Sequence, residues 1–461
     1  MLFSRKKTID SMNMLFSNKA LLSISIPLII QQVLAVTINM FDSMMVSCAG
    51  EAAISGVSLI GTINLLLIYM FSSLSSGGAV VISQLIGKKD IEGAKTASKQ
   101  LIWVVLIIST LITVLSITFR VPFLNLVFGK IEADVMENAL IYFFVLALSY
   151  PFFGVYNACT AIFRAMGNSK IAMTSSILMN IVNVVGNAIF IFIFNLGAMG
   201  AALATSISHV VGAVVMIVLI HNKDNLIYVE KIFSYKPDFN IIKRICSIGI
   251  PNGLENSMFQ FGKLLTQSLI ATFGTSQIAA NAVGNSITAL QYTAGTAIGM
   301  AMITVVGQCV GAEEKEQARL YTRKLLFMAY SIIIGVSVLI FLFTNQILGL
   351  YNLTGEASHT ARQIFLSHSL MVCTIWPIAF TLPNAFRAAS DVKYTMIIAV
   401  VSMWIFRVFL SYVFALYMNM GIMGVWYAMF CDWIFRAIIF GIRYLRGTWL
   451  TKYKKLEISN E

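Results

Sequence analysis

Twelve apolar segments of membrane-spanning length follow one another along the chain and leave little sequence for anything else. A helix needs about 20 mostly apolar residues to cross the hydrocarbon core of a bilayer. Because 58% of the 461 residues are hydrophobic and only 11% are charged, the chain has too few polar residues to coat a water-soluble core of this size. The sequence therefore predicts an all-α polytopic membrane protein with twelve transmembrane helices. The approximate bounds of the segments are 21–48, 54–80, 99–120, 139–165, 171–194, 199–221, 245–273, 278–310, 324–344, 364–386, 394–417 and 422–442.

Basic residues are concentrated in alternate loops between these segments. If residues 1–20 lie in the cytoplasm, only Arg120, Lys130 and Arg362 among the loop Lys and Arg residues fall on the outside. Membrane proteins carry an excess of Lys and Arg on the cytoplasmic side, so both termini are predicted to be cytoplasmic. This topology explains the net charge of +12, and we expect no nucleic-acid partner.

The two halves of the chain resemble each other. Each half holds six spans, an even number, so the repeats share one orientation and are related by a pseudo-two-fold axis along the membrane normal. The sequence predicts two six-helix bundles: an N-lobe at 1–221, a cytoplasmic linker at 222–244, and a C-lobe at 245–461 with a short cytoplasmic tail. Parallel repeats of this kind are typical of transporters. The matching pairs are Ser25–Pro27 with Gly249–Pro251, Gln84–Gly87 with Gln308–Gly311, and Phe163–Ala165 with Phe386–Ala388.

Polar side chains inside the spans mark a candidate site, because an ionisable residue at the bilayer centre costs about 2.5–3.5 kcal/mol or more. Asp42 is the only acid well inside a span of the N-terminal half, and Asn187 and Thr205 lie at a similar depth on other spans. Asn180, Asn183 and Asn187 share one helix face. A carboxylate with amide and hydroxyl oxygens suits a proton or a weakly held Na⁺. Hydrogen bonding between helices explains the Asn residues equally well.

Three further ionisable residues form a possible second polar or substrate site: Glu255, Lys263 and Arg407. Glu255 lies one turn after a proline, which suits a hinge or a second protonation site. Lys263 either pairs with an acid elsewhere or extends to the interface. Arg407 either binds an anionic group or supports a helix terminus. Asp432 and Arg436 lie four residues apart on one span, which predicts a neutralising pair within that helix.

The ordered set of motifs resembles the multidrug and toxic compound extrusion (MATE) transporters over essentially the whole chain. No one motif is decisive, but their order along twelve spans is specific to that family. The motifs are Ile26-Pro27 with Phe41-Asp42-Ser43, Gln84-Leu-Ile-Gly87, Phe163-Arg164-Ala165-Met166-Gly167-Asn168-Ser169-Lys170, Asn183-Val-Val-Gly-Asn187 and Ser402-Met-Trp404-x-x-Arg407.

This resemblance implies a multi-pass antiporter of the bacterial or archaeal inner membrane. Such a protein exports organic, often cationic, drugs or toxins in exchange for H⁺ or Na⁺ by alternating access. Its partners are small molecules and the lipid bilayer, and we expect a monomer with no cofactor beyond the coupling ion. Asn187 stands where many relatives carry Asp, which favours a proton mechanism over Na⁺ binding. The implied cation site consists of Asp42, Asn157, Asn183, Asn187 and Thr205.

Two other classes of protein deserve comparison with this expectation. A flippase for lipid-linked precursors or polysaccharides, from the same superfamily, requires a strongly cationic cavity. Only Lys263, Arg407 and Arg436 lie within the predicted spans and away from their ends, so the sequence predicts a weakly basic cavity. A membrane enzyme requires a catalytic motif, and the chain has neither HExxH nor GxSxG nor a CxxC pair. We therefore expect no enzyme activity and no metal other than Na⁺ at the Asp42 site.

Overall fold

The computed structural model describes residues 14–48, 50–129, 131–230, 236–350 and 355–451. The regular structure of these residues is entirely helical. The predicted position of the two termini falls on chain ends that lie outside the described residues. In chain order the helices are α1 (Asn18–Ser47), α2 (Glu51–Gly87), α3 (Ile91–Thr118), α4 (Arg120–Phe128), α5 (Ala133–Leu148), α6 (Tyr150–Ala165), α7 (Ser169–Asn187), α8 (Gly197–Ile220), α9 (Phe239–Ala271), α10 (Thr275–Gly311), α11 (Lys315–Leu342), α12 (Thr344–Leu350), α13 (Gly355–Thr374), α14 (Pro383–Ala388), α15 (Val392–Ser402), α16 (Leu410–Tyr412) and α17 (Gly421–Arg446).

Each of the twelve predicted spans corresponds to a helix or to a bent pair of helices. Within the described residues, nine helices are long and apolar enough to cross a bilayer, and two bent pairs bring that number to eleven. The twelfth span is α9, which has 33 residues. Charged side chains such as Glu255 and Lys263 make this helix less apolar than those nine helices. It begins at Phe239, so the predicted linker at 222–244 overlaps its first turns.

The internal repeat is visible in the lengths and bends of the helices. α2 and α10 both have 37 residues, and α3 and α11 both have 28. The fourth span of each lobe is bent, by 48° between α5 and α6 and by 59° where α13 meets the segment Pro377–Ala388. Pro151 and Pro377 lie at these bends, and a proline removes a helical hydrogen bond and clashes with the preceding turn. The structure thus shows one six-span unit built twice.

The lobes meet along α1 and α2 of the first half and α9 and α10 of the second. Close approach requires glycine here, since a Cβ on Gly77 would lie 2.7 Å from the Gly249 nitrogen. Further along, Asn256 Nδ2 donates to Ser73 Oγ at 2.9 Å. The contact line therefore runs from the end of α2 at Gly87 to the middle of the helix, and it fixes where the cavities between the lobes begin.

Short turns join the spans at one end of the molecule, which we name the basic end because it carries most of the basic loops. These turns are 88–90, 166–168, 312–314 and 389–391. Asp90 begins α3 by accepting from the Gly93 nitrogen at 2.8 Å, and Asn168 begins α7 in the same way. Side chains that accept from the first free N–H groups of a helix fix its start. The basic end is thus held by local sequence as well as by packing.

Candidate functional site

Four polar side chains meet inside the N-lobe, and we name them the acid–amide cluster: Asp42, Asn183, Asn187 and Thr205. Asn187 Nδ2 donates to Asp42 Oδ1 at 2.8 Å. In the amide orientation of Asn183 that satisfies both neighbours, its nitrogen donates to Asp42 Oδ1 at 2.7 Å and its oxygen accepts from the Thr205 hydroxyl at 3.1 Å. Three helices therefore bring one carboxylate into contact with neutral donors only.

The helices explain how these side chains converge. Asn183 and Asn187 lie one turn apart on α7, so both point to α1, where Asp42 lies. A π-helical turn, Ala188–Ile193, begins directly after Asn187. Such turns insert an extra residue into the helix and recur at functional sites. Thr205 closes the cluster from α8.

The acid–amide cluster contains a buried polar atom that has no hydrogen-bond partner. Asn183 is 6% exposed and Asn187 is 1% exposed, while Asp42 is half-buried. Asn187 Oδ1 has no hydrogen-bond partner although it is buried. Among the described residues no Lys or Arg forms an ion pair with Asp42. A carboxylate beside an unpaired amide oxygen is a donor set for a proton or a hard cation.

Asn157, the fifth residue that the family resemblance implied, lies outside this hydrogen-bonded set. Its Nδ2 donates to the Phe153 carbonyl at 2.9 Å, one turn earlier on α6. The structure therefore brings four of the implied residues together and leaves Asn157 bonded to its own helix.

Glu255 in the C-lobe is held in an ion pair that the sequence did not predict. Arg387 Nη2 donates to Glu255 Oε1 at 2.6 Å, and Arg387 Nη1 donates to Asn384 Oδ1 at 2.9 Å. The side chain of Glu255 is 11% exposed and that of Arg387 is 13% exposed. The sequence placed Arg387 at the start of a cytoplasmic loop, whereas it lies in α14 and reaches back to α9. Its place in the repeated Phe-Arg-Ala motif was the signal available for this contact.

Breaking this ion pair on one side is expected to destabilise the C-lobe. Glu255→Gln leaves the Arg387 charge buried without compensation, so the free energy of unfolding should fall by about 3 kcal/mol. Arg387→Gln should cost a similar amount, and the double variant should cost clearly less than the two together. Fluorescence-detected unfolding in detergent measures all four proteins. Strictly additive losses would show that the two side chains are not coupled.

Asp432 and Arg436 form the pair within α17 that their spacing predicted. Arg436 Nε donates to Asp432 Oδ1 at 2.8 Å, which confirms the prediction, and Arg436 Nη2 donates to the Ala399 carbonyl at 3.0 Å. Arg407 lies nearby with its guanidinium 5.1 Å from the centre of the Phe259 ring. Lys263 forms no ion pair within the described part of the chain.

Cavities lie between the lobes on the path along α2 and α9. The central one has a volume of about 280 Å³ and lies beside Ser73 and Asn256. Its wall includes Arg164, Arg387 and Arg436. The prediction of a weakly basic cavity counted Arg164 and Arg387, which lie at the ends of their spans, with the cytoplasmic loops and so missed them. Arg387 is paired with Glu255 and Arg436 with Asp432, so Arg164 is the wall cation without an ion pair among the described residues.

Two glutamines related by the repeat close the basic end. Gln84 Nε2 donates to the Ala388 carbonyl at 2.7 Å, and Gln308 Nε2 donates to the Ala165 carbonyl at 2.8 Å. Each glutamine thus crosses from one lobe to the other, and we name this pair of bonds the glutamine latch. With the latch formed, the lobes are in contact at the basic end, and the cavities lie beyond it.

Fold and site together define the class of this protein: a membrane transporter built from two parallel six-span repeats, with a polar cluster in one lobe and cavities between the lobes. The MatE family matches the chain over residues 27–189 and again over residues 251–413, once in each half. The chain therefore belongs to the MATE family of transporters, as the ordered motifs indicated.

Individual relatives agree with this assignment over almost the full chain. The chain is 26% identical to the uncharacterized transporter YisQ of Bacillus subtilis, covering 94% of this chain and 95% of that protein. It is 25% identical to the probable multidrug resistance protein NorM of Thermotoga maritima, with coverages of 94% and 93%.

Solved structures confirm the architecture of two helical bundles. A MOP superfamily transporter from Pyrococcus furiosus superimposes with a TM-score of 0.85 at 22% identity, covering 95% of this chain and 96% of that one. A MATE crystal structure in the straight conformation gives a TM-score of 0.86 at 23% identity, covering 95% and 97%. The predicted fold class is therefore confirmed.

Proposed function

We propose that this MATE transporter is a secondary active antiporter that exports organic compounds in exchange for H⁺ or Na⁺. The observation that supports this most directly is the acid–amide cluster. Asp42 is held by neutral donors and by no cation in the described residues, so its charge is compensated only when a proton or a cation binds. The unpaired oxygen of Asn187 supplies a second acceptor for the same ion.

The arrangement of the lobes supports alternating access. With the glutamine latch formed, the lobes are in contact at the basic end, and the cavities lie beyond it. Breaking the two bonds and separating α2 from α9 would open the basic end instead, by a rocking of one repeat against the other. Ion binding at Asp42 changes the charge inside the N-lobe, and a charge change at the packing of α1 against α7 biases that rocking.

The basic end faces the cytoplasm in this proposal, because Lys and Arg are retained on that side. We place the protein in the inner membrane of a bacterium or archaeon, with both termini cytoplasmic. We propose that it works as a monomer without a cofactor, since the cluster and the cavities are built by one chain.

A flippase for lipid-linked precursors is the second candidate, and the basic wall of the central cavity is the observation that favours it. Arg164 and Arg387 line the cavity from equivalent positions of the two repeats. Arg387 is paired with Glu255, whereas Arg164 has no ion pair among the described residues and suits a phosphate group. Such a flippase does not require Asp42 to gain and lose charge.

Everted vesicles test the antiport proposal with pH and Na⁺ gradients imposed separately. We expect dye accumulation to follow one of the two gradients and to collapse when that gradient is dissipated by an ionophore. With one carboxylate in the cluster, the pH gradient is the expected driver. Accumulation that persists without either gradient would contradict antiport.

A further inference from the structure

A small polar recess opens from one of the cavities between the lobes. The larger space, about 450 Å³, lies between α2, α9 and α10, and the recess, about 50 Å³, lies deeper in the C-lobe. Lys263, Gln267 and Asn285 border both, so the two spaces adjoin. Arg407 borders the recess from the other side. A volume of this size has room for a small polar group, since a cavity needs only about 10–15 Å³ of such space to hold a water molecule.

The recess carries positive charge that the described residues do not neutralise. Neither Lys263 nor Arg407 pairs with an acid in the described ranges, and Asp432 is taken by Arg436 at 2.8 Å. Arg407 is stabilised by the face of Phe259, which supplies only part of the compensation that a carboxylate gives. Cations in such a setting are costly unless an anion joins them.

Comparison of the two repeats shows a third uncompensated cation, and this one lies in the central cavity. Arg387 is neutralised by Glu255 at 2.6 Å. Its repeat mate is Arg164, and the repeat mate of Glu255 is Gln31, which carries no charge. The polar contact of the Arg164 guanidinium is with the Met300 sulfur at 3.5 Å. The central cavity therefore holds one more positive charge than its own acid can offset.

The large cavity adds an apolar and aromatic wall to this charge. Leu65, Leu66 and Leu264 line it together with Tyr292. Binding sites for small molecules combine such apolar walls with a few polar groups that fix orientation. Glu255 is the acid on the walls of the described cavities, and Arg387 neutralises it. The walls thus offer no free negative charge to an organic cation.

We propose that the recess binds the anionic group of the transported compound, and that the substrates are amphipathic organic anions or zwitterions carrying a carboxylate or a phosphate. The anionic group lies between Lys263 and Arg407, where a guanidinium donates two parallel hydrogen bonds to a carboxylate. The apolar body fills the larger cavity along α2. This inference rests on the proposed export function and names the substrate class for it, which differs from the cationic compounds that the family resemblance implied.

Three dyes with one xanthene skeleton test the proposal by fluorescence anisotropy on the purified protein in detergent. Fluorescein is an anion with a free carboxylate, rhodamine 110 is a zwitterion, and rhodamine 123 is the cationic methyl ester. We expect both carboxylates to bind at least about tenfold more tightly than the ester. Equal affinities, tighter binding of the ester, or no measurable binding of any dye would overturn the proposal.

Matched variants locate the binding to the recess. Lys263→Met and Arg407→Met each remove one cation and keep an apolar side chain, and each should weaken fluorescein binding about tenfold or more. Binding of rhodamine 123 should stay the same or become tighter. Arg362→Met removes an exposed cation from the same lobe and should change neither dye. Equal weakening of both dyes by the Lys263 and Arg407 variants would overturn the proposal.

A lipid phosphate supplies the same chemistry as a soluble anion, and added lipid separates the two sources. Competition with fluorescein by phosphatidylglycerol, but not by phosphatidylcholine, would assign the recess to a lipid headgroup. No competition would assign it to soluble anions. The binding assay needs no ion gradient, so anion-selective binding without driven export contradicts only the antiport proposal. Gradient-driven export of rhodamine 123, without export of the two carboxylate dyes, would support antiport and overturn the proposal that the recess binds anions.

Discussion

Asp42→Asn is expected to abolish gradient-driven export from vesicles while leaving the fold intact. Asparagine has the shape of aspartate, and its oxygen still accepts from Asn187 and Asn183, so the packing between α1 and α7 is kept. The variant loses the ability to gain and lose a charge, because an amide does not titrate in the physiological range. The export rate should therefore fall to the rate of protein-free vesicles under a pH gradient and under a Na⁺ gradient.

Two controls separate loss of coupling from loss of structure. Asp134→Asn makes the same chemical change at an exposed position in the first turn of α5, where the effect on helix stability is about 1 kcal/mol or less. It should retain full export. Dye binding by purified Asp42→Asn should also be retained, because Asp42 does not line the cavities. Undiminished gradient-driven export by Asp42→Asn would remove this carboxylate from the coupling mechanism.

The fold was predictable because a bilayer restricts the choices so strongly. Only a helix satisfies its backbone groups inside the membrane without a partner strand, so each long apolar segment implies a span. The segment at 245–273 shows the principle well, since α9 carries Glu255 and Lys263 and is still a single helix. The repeat was predictable from short motifs such as Gln84–Gly87, which recurs with the same spacing in the second half of the chain as Gln308–Gly311.

The contacts between distant side chains were less predictable. Spacing along one helix predicted the pair of Asp432 with Arg436, because residues four apart are neighbours. The pair of Glu255 with Arg387 joins residues 132 positions apart, and no helical periodicity encodes it. Depth along the span placed Asp42 near Asn187, but depth gives no rotation about the helix axis. Asn157, which only the family resemblance assigned to the same cluster, donates to the Phe153 carbonyl of its own helix.

The glutamine latch is a contact that forms only when both halves of the repeat are present, because each glutamine bonds to the other lobe. Gln84 and Gln308 occupy equivalent positions, and each bonds to the lobe from which the other comes. The glycine that follows each glutamine by one turn allows this approach. A Cβ on Gly87 would lie 2.0 Å from the Gln308 carbonyl oxygen, and one on Gly311 would lie 1.9 Å from the Gln84 carbonyl oxygen. Equivalent residues of the two repeats therefore make equivalent contacts that close the basic end.

Gly87→Ala is expected to prevent this closure and to stop export. The new methyl group overlaps a backbone oxygen of the other lobe, which cannot move away as a flexible side chain does. Each lobe itself should keep its stability, since alanine favours a helix over glycine by about 1 kcal/mol. The population should shift toward the state that is open at the basic end, and transport should be lost because one half of the cycle is blocked.

Spin labels at Glu92 and Glu316 report this shift directly. These are equivalent exposed positions in the first turns of α3 and α11, one in each lobe at the basic end. In Gly87→Ala the distance distribution between the labels should move to longer values. Gly335→Ala is the matched control, because no atom lies within 4 Å of its added Cβ, and it should show the unsubstituted distances and full export. Normal export by Gly87→Ala, with unchanged label distances, would show that closure does not pass through the glutamine latch.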